Sequence, residues 1–264
     1  MKQHGISKVI VSPGMKNLPF IASVQYDPFF EVYSCVDERS AAYMACGLAV
    51  ESNEPVALSC TGATASRNYV SALTEAFYRH IPILAVTSMS HLGEIGHLIP
   101  QVIDRSSPLK DIFVDAEEIN PIHSEKDAWD INIRINRALL ELRHHDGGPV
   151  HINLVCENFT EFVSELEEAK AIRRYCYEDK LPGVAAEKVT IFVGSHRKFD
   201  DELTEYIDRF CEIYNGVVVC DNTSNYYGKY RIQPSVLNTQ AKRKSELFHT
   251  ELVIHIGDVS GAYY

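Results

Sequence analysis

The stretch Val32–Glu51, VYSCVDERSAAYMACGLAVE, permits few architectures. A short apolar run (Val32–Val36) meets an acidic corner at Asp37-Glu38. Apolar residues then recur at helical spacing through Tyr43, Cys46 or Gly47, and Val50. A switch from strand period to helix period across one corner is the β-to-α transition of an α/β unit. Asp37 suits the helix N-cap, where its carboxylate can accept from the free N–H groups of the first turn. Glu38 follows at the carboxyl end of a strand, where open α/β sheets hold their ligands. Ala41, Ala42, Ala45, Gly47 and Ala49 leave the helix slim enough for a close neighbour. Glu38 has a plainer reading too, since an acid in a first turn complements the helix dipole.

The same alternation runs along the first 155 residues. Strands are expected at Lys8–Ser12, Val32–Val36, Pro55–Cys60, Pro82–Thr87, Asp111–Asp115 and Val150–Val155. Helices are expected at Asn17–Gln25, after Asp37, at Ala65–Arg79 and at Ser124–Arg143, the last with Ala128, Ile131, Ile135 and Leu139 on its apolar face. Ser12-Pro13-Gly14 is a tight turn in which Gly14 permits a positive torsion. Ser88–Pro108 lacks a clean period and is long for a connection in such a unit, which suits a functional loop. Residues 158–187 are rich in charge (Glu161, Glu165, Glu167, Glu168, Lys170, Arg173, Arg174) and read as a linker with some helix. A second series follows, with strands at Val189–Val193, Val217–Cys220 and Glu251–Ile256 and a helix at Asp200–Tyr214. The expected organisation is an α/β domain with a largely parallel sheet over 1–157, the linker 158–187, and a partial Rossmann-like domain over 188–264.

Composition narrows the function classes. A net charge of -11 disfavours non-specific nucleic-acid binding and an anionic membrane surface. No apolar run reaches the length of a membrane span, and the N-terminus lacks the apolar core of a signal peptide. The seven cysteines form no CxxC pair, so no metal site is expected, and free thiols suit a reducing cytoplasm. His144-His145 reads as a solvated helix end. GxGxxG, Walker and GxSxG sequences are absent, which disfavours an NAD-linked oxidoreductase.

Three turns nevertheless fall at strand carboxyl ends: Ser12-Pro13-Gly14, Asp37-Glu38 and Thr61-Gly62-Ala63-Thr64. In this order, SPGMKNLP, VDERSAAYMACGLA, PVALSCTGATASRNYVSALTEAFYRHIPILAVTS and GPVHINLV resemble the pyrimidine-binding domain of thiamine-diphosphate enzymes. Within that superfamily they most resemble the 2-succinyl-5-enolpyruvyl-6-hydroxy-3-cyclohexene-1-carboxylate synthases of menaquinone biosynthesis. The likeness covers about residues 5–155 and extends weakly to ELVIHIGD near the end. It implies a three-layer parallel-sheet fold. It also implies that Glu38 faces N1′ of the aminopyrimidine, that Thr61, Gly62, Ala63, Thr64 and Asn68 line the cofactor pocket, and that Gly14 shapes the turn beside it. For Asn68 an exposed helix polar is an equal alternative. A carboxyl held against that ring nitrogen favours the imino tautomer, whose exocyclic nitrogen can take the thiazolium C2 proton.

The chain departs from those synthases where they carry Ser-Arg after the Pro-Gly turn and Asp-Arg-Pro after the fourth strand. Here stand Met15-Lys16 and Met89-Ser90-His91. Lys16 keeps one positive charge without the guanidinium fork, and Gln101 matches a substrate-side glutamine. By the resemblance, Lys16 and Gln101 are substrate residues, and the activity is 2-oxo acid decarboxylation or carboligation on a small 2-oxo acid. The family holds its diphosphate and Mg²⁺ in another domain, across a subunit boundary. The expectation is therefore half a site, inactive without that domain, in a homodimer, a homotetramer or a complex with a diphosphate-domain partner. The competing expectation is a non-catalytic binding or regulatory module that keeps the fold.

Overall fold

A computed structural model describes residues 1–105, 107–156, 162–233 and 249–258. Glu161 of the charged stretch and the closing residues 259–264 lie outside the described residues. The chain divides into two compact units, Met1–Cys176 and Tyr177–Tyr264.

The first unit holds six strands, β1 (Lys8–Val11), β2 (Glu31–Ser34), β3 (Val56–Thr61), β4 (Ile83–Met89), β5 (Asp115–Ile119) and β6 (Val150–Val155). They form one sheet in the order β2-β1-β3-β4-β6-β5, and every pairing is parallel. Its helices are α1 (Leu18–Tyr26), α2 (Glu38–Ser52), α3 (Ala63–Arg67), α4 (Val70–Tyr78) and α5 (Glu125–Glu141). Strand alternation sorts the core into two layers. Ile10, Leu58, Ile83 and Ala85 meet the small residues of α2 and Leu73 and Ala76 of α4. Val9, Ala57, Leu84, Val86 and Ile152 meet Ile21 and Val24 of α1 and Ile131 and Leu139 of α5. The unit is thus the three-layer parallel-sheet fold expected. β3 and β4 are buried along nearly their whole length, which is why they read as unbroken apolar runs. The strand order reverses between β1 and β3, so the crevice at their carboxyl ends is the topological switch point.

Caps fix the helix starts. The Asp37 carboxylate accepts from Ser40 N at 2.7 Å, and Ser124 accepts from Asp127 N at 3.2 Å. Three expectations need correction. The helix expected over Ala65–Arg79 is two helices, because the Asn68 and Tyr69 amides bond three residues back, to Ala65 and Ser66, and Tyr69 turns into the core with 1% of its surface exposed. The strand expected at Asp111–Asp115 instead runs over Asp115–Ile119. Its acids disguised it, although Glu117 is buried against Arg134 and Arg137 of α5. The charged linker shows no helix among the described residues, and its first part packs on the first unit. The Lys170 carbonyl accepts from Asn132 and Asn136 at 3.1 and 2.9 Å, and Arg174 pairs with Glu141 at 2.7 Å.

The second unit is a parallel sheet in the order β10-β7-β8-β9. Its strands are β7 (Val189–Val193), β8 (Gly216–Cys220), β9 (Arg231–Ile232) and β10 (Leu252–Ile256), and α6 (Asp201–Ile213) packs on it. The two-residue β9 is too short to show a sequence period. The switch point between β7 and β10 is shut, because Ser195 and Asp258 exchange backbone bonds of 3.0 and 2.9 Å across it.

The slim face of α2 yields a paired test. Ala45 is fully buried against the sheet, so Ala45→Leu overpacks the core and costs about 1–3 kcal/mol. Gly47 has open space where a Cβ would stand, so Gly47→Ala gains about 0.5–1 kcal/mol. Urea denaturation of both variants reads these opposite signs.

Candidate functional site

The three turns meet at the switch point through short polar ties. The Ser12 hydroxyl donates to the Cys35 carbonyl at 2.8 Å, which joins the end of β1 to the chain leading into Asp37. Asn17, with no exposed surface, donates to the Ser12 carbonyl (3.1 Å) and the Ser59 hydroxyl (3.2 Å). Gly14 is not in the positive-torsion region that its turn suggested. Glycine is needed there for close approach instead, since a Cβ would stand 2.9 Å from Asn17 Oδ1 and 3.0 Å from Thr61 Cβ.

Glu38 is half-buried as the first residue of α2. Burial pushes the Cys60 thiol up to about 12, and the Glu38 charge adds to that rise. Burial likewise raises Tyr69 well above the usual tyrosine value, with a smaller contribution from Glu38. The acid therefore acts on the end of β3 rather than on bulk water alone. On the far side of the crevice, Gly62 N donates to the Ser88 carbonyl at 2.6 Å, and Ala63 takes a left-handed backbone, φ 55°. A non-glycine residue in that region is strained, and such strain gathers at functional sites. Thr61 is half-buried, Thr64 is exposed, and Asn68 is exposed with its amide on the Thr64 carbonyl at 3.4 Å.

The candidate substrate residues also come together. Lys16 is 8% exposed, and its Nζ donates to Ser90 Oγ at 2.7 Å and to the Gln101 carbonyl at 3.5 Å. Burial lowers its pKa, nearby Glu94 opposes that, and Arg105 adds to it. Gln101 is exposed and, like Ala63, has a positive torsion, φ 60°.

A third group escapes the sequence reading. The Arg105 guanidinium donates to Thr87 Oγ1 (2.9 Å) and Asn153 Oδ1 (2.5 Å), and Thr87 also meets His151 Nε2 at 2.7 Å. Thr87 lies on β4, with His151 and Asn153 on β6. The signal was present as a polar pair two residues apart inside the apolar strand VHINLV.

A family model described as thiamine pyrophosphate enzyme, N-terminal TPP binding domain, matches residues 1–107. The chain is 36% identical over 177 residues to the 2-succinyl-5-enolpyruvyl-6-hydroxy-3-cyclohexene-1-carboxylate synthase of Bacteroides thetaiotaomicron, covering 66% of this chain and 32% of that protein. It is 30% identical over 269 residues to the Porphyromonas gingivalis synthase of the same name, covering 97% of this chain and 46% of that one. The N-terminal domain belongs to the thiamine-diphosphate-dependent enzymes. The chain spans 32% to 46% of the length of these curated relatives. The fold is shared with the thiamine diphosphate-dependent 4-hydroxybenzoylformate decarboxylase of Rhodococcus jostii RHA1. There the TM-score is 0.51 at 20% identity, over 83% of this chain and 42% of that one. A Mycobacterium smegmatis protein described as a "putative thiamin diphosphate-dependent enzyme" gives a TM-score of 0.54 at 16% identity, over 84% and 43%.

Among the described residues, no group of three His, Cys, Asp or Glu is placed to hold a metal ion. No helix among them is long and apolar enough to cross a membrane. His151, stacked on Phe113 at 4.8 Å, is pushed down to about 3 by burial and by Arg105. Unfolded, it takes its proton near 6.5. Between those values the unfolded chain binds the extra proton, so this residue's contribution to stability is full above pH 6.5 and is lost as pH falls toward 3. The slope approaches about 1.4 kcal/mol per pH unit within that window. In chemical denaturation from pH 8 to 4, His151→Gln is expected to show a flatter decline than the wild type.

Proposed function

We propose that this chain supplies the aminopyrimidine-activating half of a thiamine-diphosphate-dependent decarboxylase or carboligase that acts on a small 2-oxo acid. The observation that carries the reading is the position of Glu38. It is a half-buried carboxylate at the head of α2, beside the switch point where the Ser12–Gly14 and Thr61–Thr64 turns approach each other, and its charge reaches Cys60 at the end of β3. The crevice residues fit an aminopyrimidine. The Asn17 Oδ1 atom is buried and unpaired against Gly14, the turns are built from small residues, and Ala63 of the second turn holds a strained backbone. When bound, thiamine diphosphate supplies a carbon nucleophile for 2-oxo acids. The chain's own part is to hold a proton between the Glu38 carboxyl and the ring nitrogen, while Gly14, Thr61, Gly62, Ala63, Thr64 and Asn68 border the ring. Lys16 and Gln101 stand on the substrate side, where the buried ammonium offers a charge to a carboxylate.

In this reading Mg²⁺ and the diphosphate are held by a domain outside the segment that the chain shares with its relatives, and the chain alone does not turn over. The site then forms between subunits of a homodimer or homotetramer, or against a diphosphate-domain partner, in the cytoplasm. Val36 and, along the outer side of α2, Tyr43 and Val50 are exposed apolar residues that suit such a contact.

The test mixes the chain with a diphosphate-domain protein, thiamine diphosphate and Mg²⁺ and follows 2-oxo acid decarboxylation. Glu38→Gln is expected to lower the rate about 10²–10⁴-fold. Equal rates for wild type and variant would overturn the assignment. Cofactor binding without turnover by either would favour the non-catalytic module.

A further inference from the structure

α2 and α4 pack on the sheet face built from β1, β3 and β4. Farther along, over β4, β6 and β5, that face carries Thr87, Met89, His151 and Asn153, and residues of the loop after β4 lie against it. A hollow of about 180 Å³ opens there, and Met89, Leu92, Pro108 and Ala116 give it apolar walls. Arg105 enters it from the loop. Each of its two terminal nitrogens gives one N–H to a neutral acceptor, Thr87 Oγ1 or Asn153 Oδ1, which leaves one N–H on each, and its Nε is buried without a partner. Among the described residues Arg105 is in no ion pair. Glu117 nearby is already held by Arg134 and Arg137.

A half-buried guanidinium that hydrogen-bonds only to neutral groups, with Glu118 near it but not paired to it, is incompletely compensated, and it is the side chain best shaped to receive a carboxylate. An apolar hollow with a few convergent polar groups is the usual form of a small-molecule site. A cavity of roughly 150 Å³ holds a benzene ring, so this one suits a body of about that size. Glu118 lines the same hollow and opposes a second negative charge.

We propose that this hollow binds a small organic monocarboxylate, its carboxylate on Arg105 and its apolar body against Met89, Leu92 and Pro108. The site stands on Arg105 and needs neither Glu38 nor the coenzyme. It adjoins the Thr61–Thr64 turn, since a Cβ on Gly62 would lie 3.1 Å from Arg105 Nη2. An occupant is therefore placed to act on that turn.

The experiment titrates the full chain, without coenzyme, with benzoate, the neutral isostere benzamide and the diacid terephthalate, by calorimetry and amide chemical shifts. Benzoate is expected to bind with a Kd on the order of 1 mM. Benzamide and terephthalate should bind at least tenfold more weakly, with shifts centred on Gly62, Thr87 and Asn153. Arg105→Met should lose benzoate binding, while Arg105→Lys should retain a weakened form of it. Should Arg105→Met fail to fold, the benzoate-to-benzamide ratio of the wild type and the Arg105→Lys result decide. Equal affinity for benzoate and benzamide, undiminished binding in the folded Met variant, or no benzoate binding by the wild type would each overturn the proposal.

Discussion

Asn17 has no exposed surface, and its amide spans the end of β1 and the interior of β3 through the Ser12 carbonyl and the Ser59 hydroxyl. The backbone ladder pairs β1 with β3 as far as Val11 and Ser59, and Ser12 N donates to the Ser59 carbonyl at 2.8 Å. The Asn17 side chain adds the tie that folds the turn after β1 back onto both strands at the point where the strand order reverses. Gly14 then approaches Thr61 because the ends are held together, and Ser12 carries the tie on to Cys35 and hence to the Asp37 cap. Replacing the amide by an apolar group of its size would leave the Ser12 carbonyl without this donor and free the two turns to separate. The position of Glu38 at the crevice follows from this chain of contacts as much as from its helix.

The order of strands and helices is legible in the sequence because the central strands are buried on both faces. β3 and β4 therefore read as plain apolar runs, and Asp37, Ser124 and Asp200 announce helix starts through their own side chains. Legibility fails where tertiary contacts override local pattern. β5 carries Asp115, Glu117 and Glu118, acids that a lone strand disfavours and that α5 makes tolerable by presenting Arg134 and Arg137. The break between α3 and α4 comes from Tyr69 entering the core, which helical spacing does not foretell. At the site, Glu38, the two small-residue turns and Lys16 could be read because each sits beside a strand end. Arg105 could not, because it lies in a loop without period and its partners are some twenty and fifty residues away.

Two candidate residues, Ala63 and Gln101, share the left-handed backbone region without being glycine. Each is held there by its neighbours. Gly62 N is anchored on the Ser88 carbonyl beside Ala63, and the Gln101 carbonyl is turned to the Lys16 ammonium. The strain is of order 1–2 kcal/mol per residue. It is tolerated where the backbone must present N–H or carbonyl groups to something at the strand ends.

Charge placement on the two sides of the crevice differs in kind. On the Glu38 side the half-buried acid shares its charge with water. On the Arg105 side the cation is also half-buried, but its hydrogen-bond partners are neutral, and the group beside it, His151, is kept neutral by burial and by Arg105 itself. A consistent set of hydrogen bonds has Thr87 accepting from Arg105 and from His151 Nε2 while donating to Asn153, and leaves Arg105 Nε buried without a partner. A protonated His151 would set two cations against one hydroxyl. Its neutrality is therefore what lets Arg105 sit among uncharged partners and keep its charge for an anion that arrives from outside.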